Sequence, residues 1–482
     1  METDSKDERM EWRDSEIDVE FLYDHEQDDE WAEYLIDNYE EVVESFGDEE
    51  KPEACKILSS TVGGYGFKLP PGKLLDKCNI IDLRVSRAGL NTLQTTKVDG
   101  KLMKDRPEYL ELFSDLRMSH GISLINLDRP IRALEYLDQS EKGYEIVAEQ
   151  LGWVPVVGPK VKERCQCLYE YCRAKEAETW LRMLDGVPKS SWKYWINCIQ
   201  SYLTYSLEYF ELIDNEEYFN YFFDVMGQAF GVQTDYMDIE PDFIDKTDPG
   251  KEPDGYEGWC FYSVLYLNLF NEIPNPNRDW MNDNLDLKLD ERHSIILEDV
   301  VRTFDHCRKI LYEFTKVPME ERFSKVRDDS VESLIDCYVR LYSVLDKVAK
   351  IIDYLFSLDL SGETASFWNV SEALAASSNK YLRSIAMIKD DLFPKRVERI
   401  NSVDPHYTFA VACYRSSFIR NSIIHDTFRI VGPDEKDYIQ WNVAAITVQD
   451  LEYQTWTLIY TVREVILLTQ MAVELERNKR GR

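Results

Sequence analysis

Arg420, Asn421 and His425 stand close together in the stretch Arg420-Asn421-Ser422-Ile423-Ile424-His425. An arginine, an amide and a histidine in that space suit acid–base work on a phosphodiester. Histidine, with a pKa near about 6.5, serves as acid or base at neutral pH. Arginine stays charged and donates two parallel hydrogen bonds to phosphate oxygens. RNA carries its own nucleophile, the 2'-hydroxyl. Cleaving it requires removal of that proton, stabilisation of extra negative charge on phosphorus, and protonation of the leaving oxygen. Spacing alone does not make a site, because chance supplies about one Arg–His pair at a gap of four to six in a chain of this composition. Arg399 and His406, on either side of Pro405, are read as such a coincidence. Arg415, Arg429 and the tail Arg477, Lys479, Arg480 and Arg482 are candidate phosphate contacts, although a basic helix end also complements the helix dipole.

The elements that must position these groups are helical. The stretch lies in an apolar run from Phe409 to Ile430 that reads as a helix. On a helix, Asn421 and His425 fall about 40° apart and share a stripe, whereas Arg420 lies about 140° from His425. Phe418, Ile419, Ile423, Ile424 and Phe428 cover most remaining directions. Such a helix is buried nearly all round, so His425 faces only a narrow cleft. A two-fold dimer would form that cleft by setting two copies of the helix side by side. Further helices are expected from Ser294 to Phe314, Ser330 to Phe356, Ser371 to Ile388 and Val448 to Arg477, with a loop at Ser361-Gly362 and no alternating strand pattern of useful length. Residues 290–482 should thus form a bundle of four or five helices. Asp346 and Lys347, on the long amphipathic helix, are secondary candidates to orient His425 or hold phosphate. A surface ion pair explains them equally well.

Upstream, residues 241–289 carry the helix breakers Pro241, Pro249, Gly250, Pro253, Gly255, Gly258, Pro274 and Pro276, and read as a connector. Residues 51–240 read as a degenerate helical repeat of tetratricopeptide type. Gly121, Ala133, Leu137 and Ser140 fall where a helical hairpin wants small and packing residues, and Cys165, Ala177, Leu181 and Leu184 occupy the same offsets further on. Helix pairs of this kind bury their apolar faces only by stacking, and their surface suits a protein partner. The aromatic-rich segment from Trp192 to Phe230 reads as core, since it lacks the interleaved lysines and arginines of a base-stacking platform. The glycine-rich Thr61-Val62-Gly63-Gly64-Tyr65-Gly66 is not followed by Gly-Lys-Ser/Thr, and reads as a loop rather than a phosphate cradle.

Residues 1–50 hold 22 acidic against three basic residues, a net of −19 within a total of −34 over 482 residues. From 290 to 482 the balance is only −4, so the field that repels nucleic acid is concentrated at the N-terminus. Within it, Trp31, Tyr34, Leu35, Tyr39, Val42, Val43 and Phe46 recur at helical steps and predict an acidic amphipathic helix from Asp28 to Phe46 that docks on the rest. A second reading is an acidic arm that shields a basic groove. A hydrophobic content of 44% with 13% aromatics indicates a folded globular protein. No signal peptide or membrane-spanning run is evident, which predicts a cytoplasmic protein without membrane contact. The ten cysteines do not form a disulfide framework, and Cys165, Cys167 and Cys172 read as reduced thiols in a helix. The scattered histidines predict no metal site and no cofactor.

Across about 255–475 the chain holds, in order, the blocks Leu265 to Ile273, Leu341 to Ala349, Phe367-Trp368, Asn379 to Arg383 leading to Lys389-Asp390-Asp391-Leu392, and Arg420 to His425. With these blocks the C-terminal half resembles the HEPN (higher eukaryote and prokaryote nucleotide-binding) superfamily, in particular a branch with a tetratricopeptide-like region before the HEPN domain. Leu269 departs from it where a proline is usual. The resemblance implies an all-α protein whose HEPN bundle, in many members, dimerises and cuts RNA without metal, in stress response or defence against phage. His425 would then be the general acid or base, Arg420 the phosphate ligand and Asn421 an orienting amide. The alternative is an inactive HEPN and helical-repeat scaffold that binds nucleotide or a protein partner.

Overall fold

Asp28 opens the first long helix by accepting the backbone N–H of Glu30 at 2.9 Å, and the following acidic residues suit a helix N-terminus. In the computed structural model this helix, α2 (Asp29–Ser45), follows a short α1 (Val19–Asp24) and ends just before Gly47. The structure describes residues 17–150, 159–189, 192–236, 255–263, 265–267, 289–318, 321–322, 329–360, 365–392, 428–431 and 444–480. The fold is all-α, and the chain divides into two units. The first takes Met1–Leu184 and Ser190–Pro241, the second Asp185–Lys189 and Asp242–Arg482.

In the first unit α2 is followed by α3 (Lys51–Phe67), α4 (Lys73–Thr95), a small antiparallel pair β1 (Lys97–Val98) and β2 (Lys101–Leu102), and then α5 (Leu110–Asn126), α6 (Pro130–Gln150), α7 (Pro159–Met183), α8 (Trp192–Leu212) and α9 (Glu216–Tyr236). From α2 onward each helix packs on the next, which gives a sequential helical stack. Trp31, Leu35, Val42 and Val43 of α2 are buried in one core with Leu58 and Val62 of α3 and Ile81 and Val85 of α4. The acidic face of α2 is met locally by cations: Asp29 pairs with Lys68 at 2.6 Å and Asp37 with Lys77 at 2.7 Å. Its apolar side is therefore core, as an amphipathic docking helix requires.

Two sequence expectations fail in this unit. The glycine-rich run is not a loop but lies in α3. A Cβ on Gly66 would come within 3.2 Å of the Cys78 Cβ, so the glycine permits close packing on α4 that outweighs its poor helix propensity. The second repeat is not a hairpin either. Gly121 and Leu137 do face each other across the α5–α6 turn, with a Cβ at Gly121 only 3.2 Å from Leu137. Cys165, Ala177 and Leu181, however, all lie on the single helix α7, because nothing between them contains a glycine or proline to turn the chain.

A buried polar seam joins α3, α4 and α5. Asp82 of α4 accepts hydrogen bonds from Ser59 of α3 and Ser123 of α5, and Ser86 is 2.9 Å from Nδ1 of the buried His120. Burial raises the Asp82 carboxyl from about 3.8 to about 6, against the opposing pull of the two hydroxyls. The folded state thus holds a proton that the unfolded chain has already released. The stabilisation is complete below about pH 4 and is lost as pH rises towards about 6, by up to about 3 kcal/mol. Asp82→Asn should flatten this part of the stability–pH profile and raise stability at neutral pH. Urea unfolding of both proteins between about pH 4 and pH 7 checks it, and parallel profiles would refute it.

The second unit contains α10 (Gly255–Tyr262), α11 (Glu291–Lys316), α12 (Asp329–Phe356), α13 (Phe367–Leu374), α14 (Lys380–Leu392), strands β3 (Phe428–Val431) and β4 (Ala444–Thr447), and α15 (Val448–Arg480). Val331, Leu334, Tyr338, Leu341, Leu345, Val348 and Ile352 give α12 a continuous buried stripe, along which it packs against α11 and α15. Almost every residue of α15 from Leu458 to Ala472 is buried. Three corrections apply here. The helix expected from Ser371 to Ile388 is two helices, because Asn379 caps α14 by accepting the Tyr381 N–H at 3.1 Å. Phe428, Arg429 and Ile430 are not helical but lie in β3, which pairs in parallel with β4, as their aromatic and β-branched side chains favour. The stretch read as a connector contributes α10, which packs on α11 within this unit.

Candidate functional site

Of the residues singled out in the sequence, Arg420, Asn421 and His425 lie outside the described residues, as do Arg399, His406, Arg415, Leu269, Arg482 and the Ser361-Gly362 loop. The structure describes the helices that carry the other blocks, and shows what each block does. Asp346 on α12 accepts the backbone N–H of Phe367 at 3.0 Å, the first residue of α13, while the Ser366 hydroxyl accepts the Asn369 N–H at 3.3 Å. The Leu341–Ala349 and Phe367-Trp368 blocks are thereby joined at a helix cap. Lys347, one residue on, reaches Asp299 of α11 at 2.5 Å, and Arg302 reaches the same carboxylate at 2.6 Å. The hydrogen bond from Lys347, then that from Arg302, holds the Asp299 carboxyl below its usual range. At the C-terminal end of α15, Arg477 pairs with Glu474 at 2.6 Å and Lys479 with Glu476 at 3.0 Å.

The Asn379–Arg383 block is a clamp on α15. The Asn379 side chain donates to the Ala472 carbonyl and to a Glu476 carboxylate oxygen, each at 3.0 Å. Its carbonyl caps α14 at the same time, so one buried amide fixes two helices.

Sequence reasoning missed two arginines. Arg308 of α11 and Arg463 of α15 are each only 3% exposed. Arg308 donates to the Leu265 carbonyl at 3.1 Å and to Asp305 at 3.0 Å, and Arg463 donates to the Tyr266 carbonyl at 2.7 Å. Together they hold the start of the Leu265–Ile273 block. Tyr460 adds a hydrogen bond to the Ser263 carbonyl at 2.9 Å, and Trp259 packs between Tyr312 and Trp456. The strap from Gly255 to Leu267 is thus built into the bundle. The available signal was a charge inside an apolar run, Thr461-Val462-Arg463-Glu464-Val465-Ile466, where guanidinium or carboxylate must find internal partners.

Among the described residues, no group of histidine, cysteine and carboxylate side chains has the arrangement of a metal site, and no helix is long and apolar enough to cross a membrane. The cysteines of the described residues are free thiols.

Residues 292–476 match the family model described as LA2681-like HEPN. No curated protein and no solved structure matches the chain. The match spans α11 through most of α15 and includes Arg420, Asn421 and His425. The strap precedes it.

These contacts rank the residues by their cost when removed. Arg463→Met removes a buried charge-assisted hydrogen bond to the Tyr266 carbonyl and should cost about 1–3 kcal/mol. Asp346→Ala, which removes a helix cap, should cost about 1 kcal/mol. Lys347→Ala, at a partly exposed ion pair, should stay within about 0.5 kcal/mol. Chemical denaturation of the three variants measures the order, and a Lys347→Ala loss as large as that of Arg463→Met would contradict it.

Proposed function

Residues 292–476 form a HEPN domain, and from that premise we propose that the protein is a metal-independent endoribonuclease acting as a homodimer. A HEPN domain points to work on RNA or nucleotides, and the Arg420–His425 stretch inside the matched region selects RNA cleavage. That coincidence of a matched HEPN domain with an arginine, an amide and a histidine within six residues is the observation that carries the reading.

The chemistry follows from the side chains. His425 takes the proton from the 2'-hydroxyl or returns one to the leaving 5'-oxygen, roles that an imidazole can fill near neutral pH. Arg420 binds the non-bridging oxygens, and its charge is worth most when the phosphorus gains negative charge in the transition state. Asn421 holds the phosphate or the imidazole in orientation through its amide. Acid and base acting on the same phosphate call for two protonation roles, and a homodimer supplies two histidines. The cleavage would serve stress response or phage defence in the cytoplasm, with the helical first unit binding a protein partner.

The test is incubation of the purified protein with total RNA in EDTA. Cleavage should persist there, and Arg420→Ala and His425→Ala should each reduce it by about 10²-fold or more. An RNA profile unchanged at high protein concentration would sink the ribonuclease and leave a nucleotide- or protein-binding scaffold. Sedimentation velocity should show a dimer, and an active monomer would remove the two-histidine arrangement while leaving the single-site chemistry standing.

A further inference from the structure

The first unit carries a surface that the ribonuclease reading does not use. Tyr202, Tyr205 and Tyr209 recur on one face of α8, and Gln166, Tyr169, Glu170 and Arg173 share the facing side of α7. Arg173 stands where they meet. Its guanidinium carbon is 4.8 Å from the ring centre of Tyr202, 5.6 Å from Tyr169 and 5.9 Å from Tyr205. It also lies 3.7 Å from Glu141 of α6 and 3.8 Å from Glu170. The tyrosines therefore already hold one guanidinium between aromatic faces and carboxylates, an arrangement favourable to that ion. Tyr205 remains 59% exposed, so one ring has a face free for a second cation.

The charge around the rings decides what that cation belongs to. Glu141, Glu145 and Glu170 lie around Tyr169, and Glu163 and Glu170 around Tyr209, against Arg173 and an exposed Lys162 on the same side of α7. Burial, then the carboxylates of Glu141 and Glu145, holds the Tyr169 hydroxyl at about 12, and Arg173 only partly opposes them. Single-stranded nucleic acid stacks on tyrosines too, but it needs cations along its phosphates, and here carboxylates outnumber them. We propose that this face of α6, α7 and α8 binds an arginine-rich segment of a partner polypeptide. A planar guanidinium stacks on the exposed ring of Tyr205 while neighbouring guanidiniums of the same segment pair with exposed carboxylates such as Glu145, which repeats for the partner what Arg173 does within the fold. The assignment is independent of the HEPN domain's chemistry, and its test involves no RNA cleavage.

The full-length protein is titrated into a fluorescent oligoarginine peptide at low and at physiological salt, with anisotropy as the readout. Tyr205→Ala should weaken binding by about 2–5-fold, and Tyr205→Phe, which keeps the ring, should leave it unchanged. Glu145→Lys should weaken it at least as much as Tyr205→Ala, whereas Asp48→Lys, an equal charge change in the exposed turn between α2 and α3, should have little effect. An oligolysine peptide should bind less tightly, since ammonium lacks the planar stacking surface. Absence of binding, indifference to Tyr205→Ala, or an equal loss in Asp48→Lys would overturn the proposal, the last by showing attraction to net charge alone. A single-stranded RNA oligomer whose binding is lost in Tyr205→Ala and strengthened in Glu145→Lys would assign the face to nucleic acid instead.

Discussion

A guanidinium removed from water must give its protons to acceptors inside the protein, and the second unit is arranged around that requirement. Arg463 lies in the most buried part of α15 and Arg308 on the inner side of α11, and the acceptors each finds include a backbone carbonyl of the strap. An arginine in such a place cannot relax by losing its charge, as a lysine can. The strap is therefore part of the core, although it precedes the HEPN match. Asn379 applies the same logic with a neutral group, since its amide is spent on α15 and its carbonyl on α14. Specific polar bonds set the helix positions, and the apolar stripe of α12 supplies the area that holds them together.

The first unit meets a similar constraint differently. Its helices follow one another in a stack, and the polar groups between them are hubs shared by several neighbours. Asp82 draws hydroxyls from α3 and α5, and Asp115 of α5 receives Tyr144 of α6 at 2.6 Å, Lys56 of α3 at 3.1 Å and Arg164 of α7 at 3.0 Å. One carboxylate thus registers four helices. Such hubs carry the information that a regular repeat would otherwise supply through its periodic small residues, which explains how the stack tolerates α7 as one long helix where the spacing suggested two.

Much of this was legible in the sequence. Periodicity located α2, α11, α12 and the start of α15 to within a few residues, because their apolar stripes are long; the structure adds that Asp28 and Asp290 cap α2 and α11. The failures have particular causes. The glycine-rich run was read by propensity, and at Gly66 close packing against Cys78 of α4 outweighs it. The apolar run ending at Ile430 was read with one period throughout, and its last residues belong to a strand whose partner begins at Ala444, beyond the run. Asp346 and Lys347 are adjacent in the chain, yet one caps a helix and the other joins a partly exposed ion pair, a difference set by which neighbour each side chain meets. The mixing of cations with aromatics was sought within one segment, whereas Arg173 comes to the α8 tyrosines from another helix. Arg420, Asn421 and His425, on which the proposed ribonuclease rests, were singled out by their types and order alone.

The strap also has a consequence in time. The hydrogen bond from Arg463 to the Tyr266 carbonyl spans 197 residues, and Tyr460 to Ser263 spans 197 as well. During synthesis the strap leaves the ribosome long before α15 exists, and its carbonyls must wait in water, or in provisional contacts, for the donors that will hold them. Closing a loop of that length is entropically costly and slow compared with the pairing of neighbouring helices in the first unit. The first unit can therefore assemble as it emerges. The second completes its core only when α15 arrives, which delays any activity of the HEPN domain until that helix has been made.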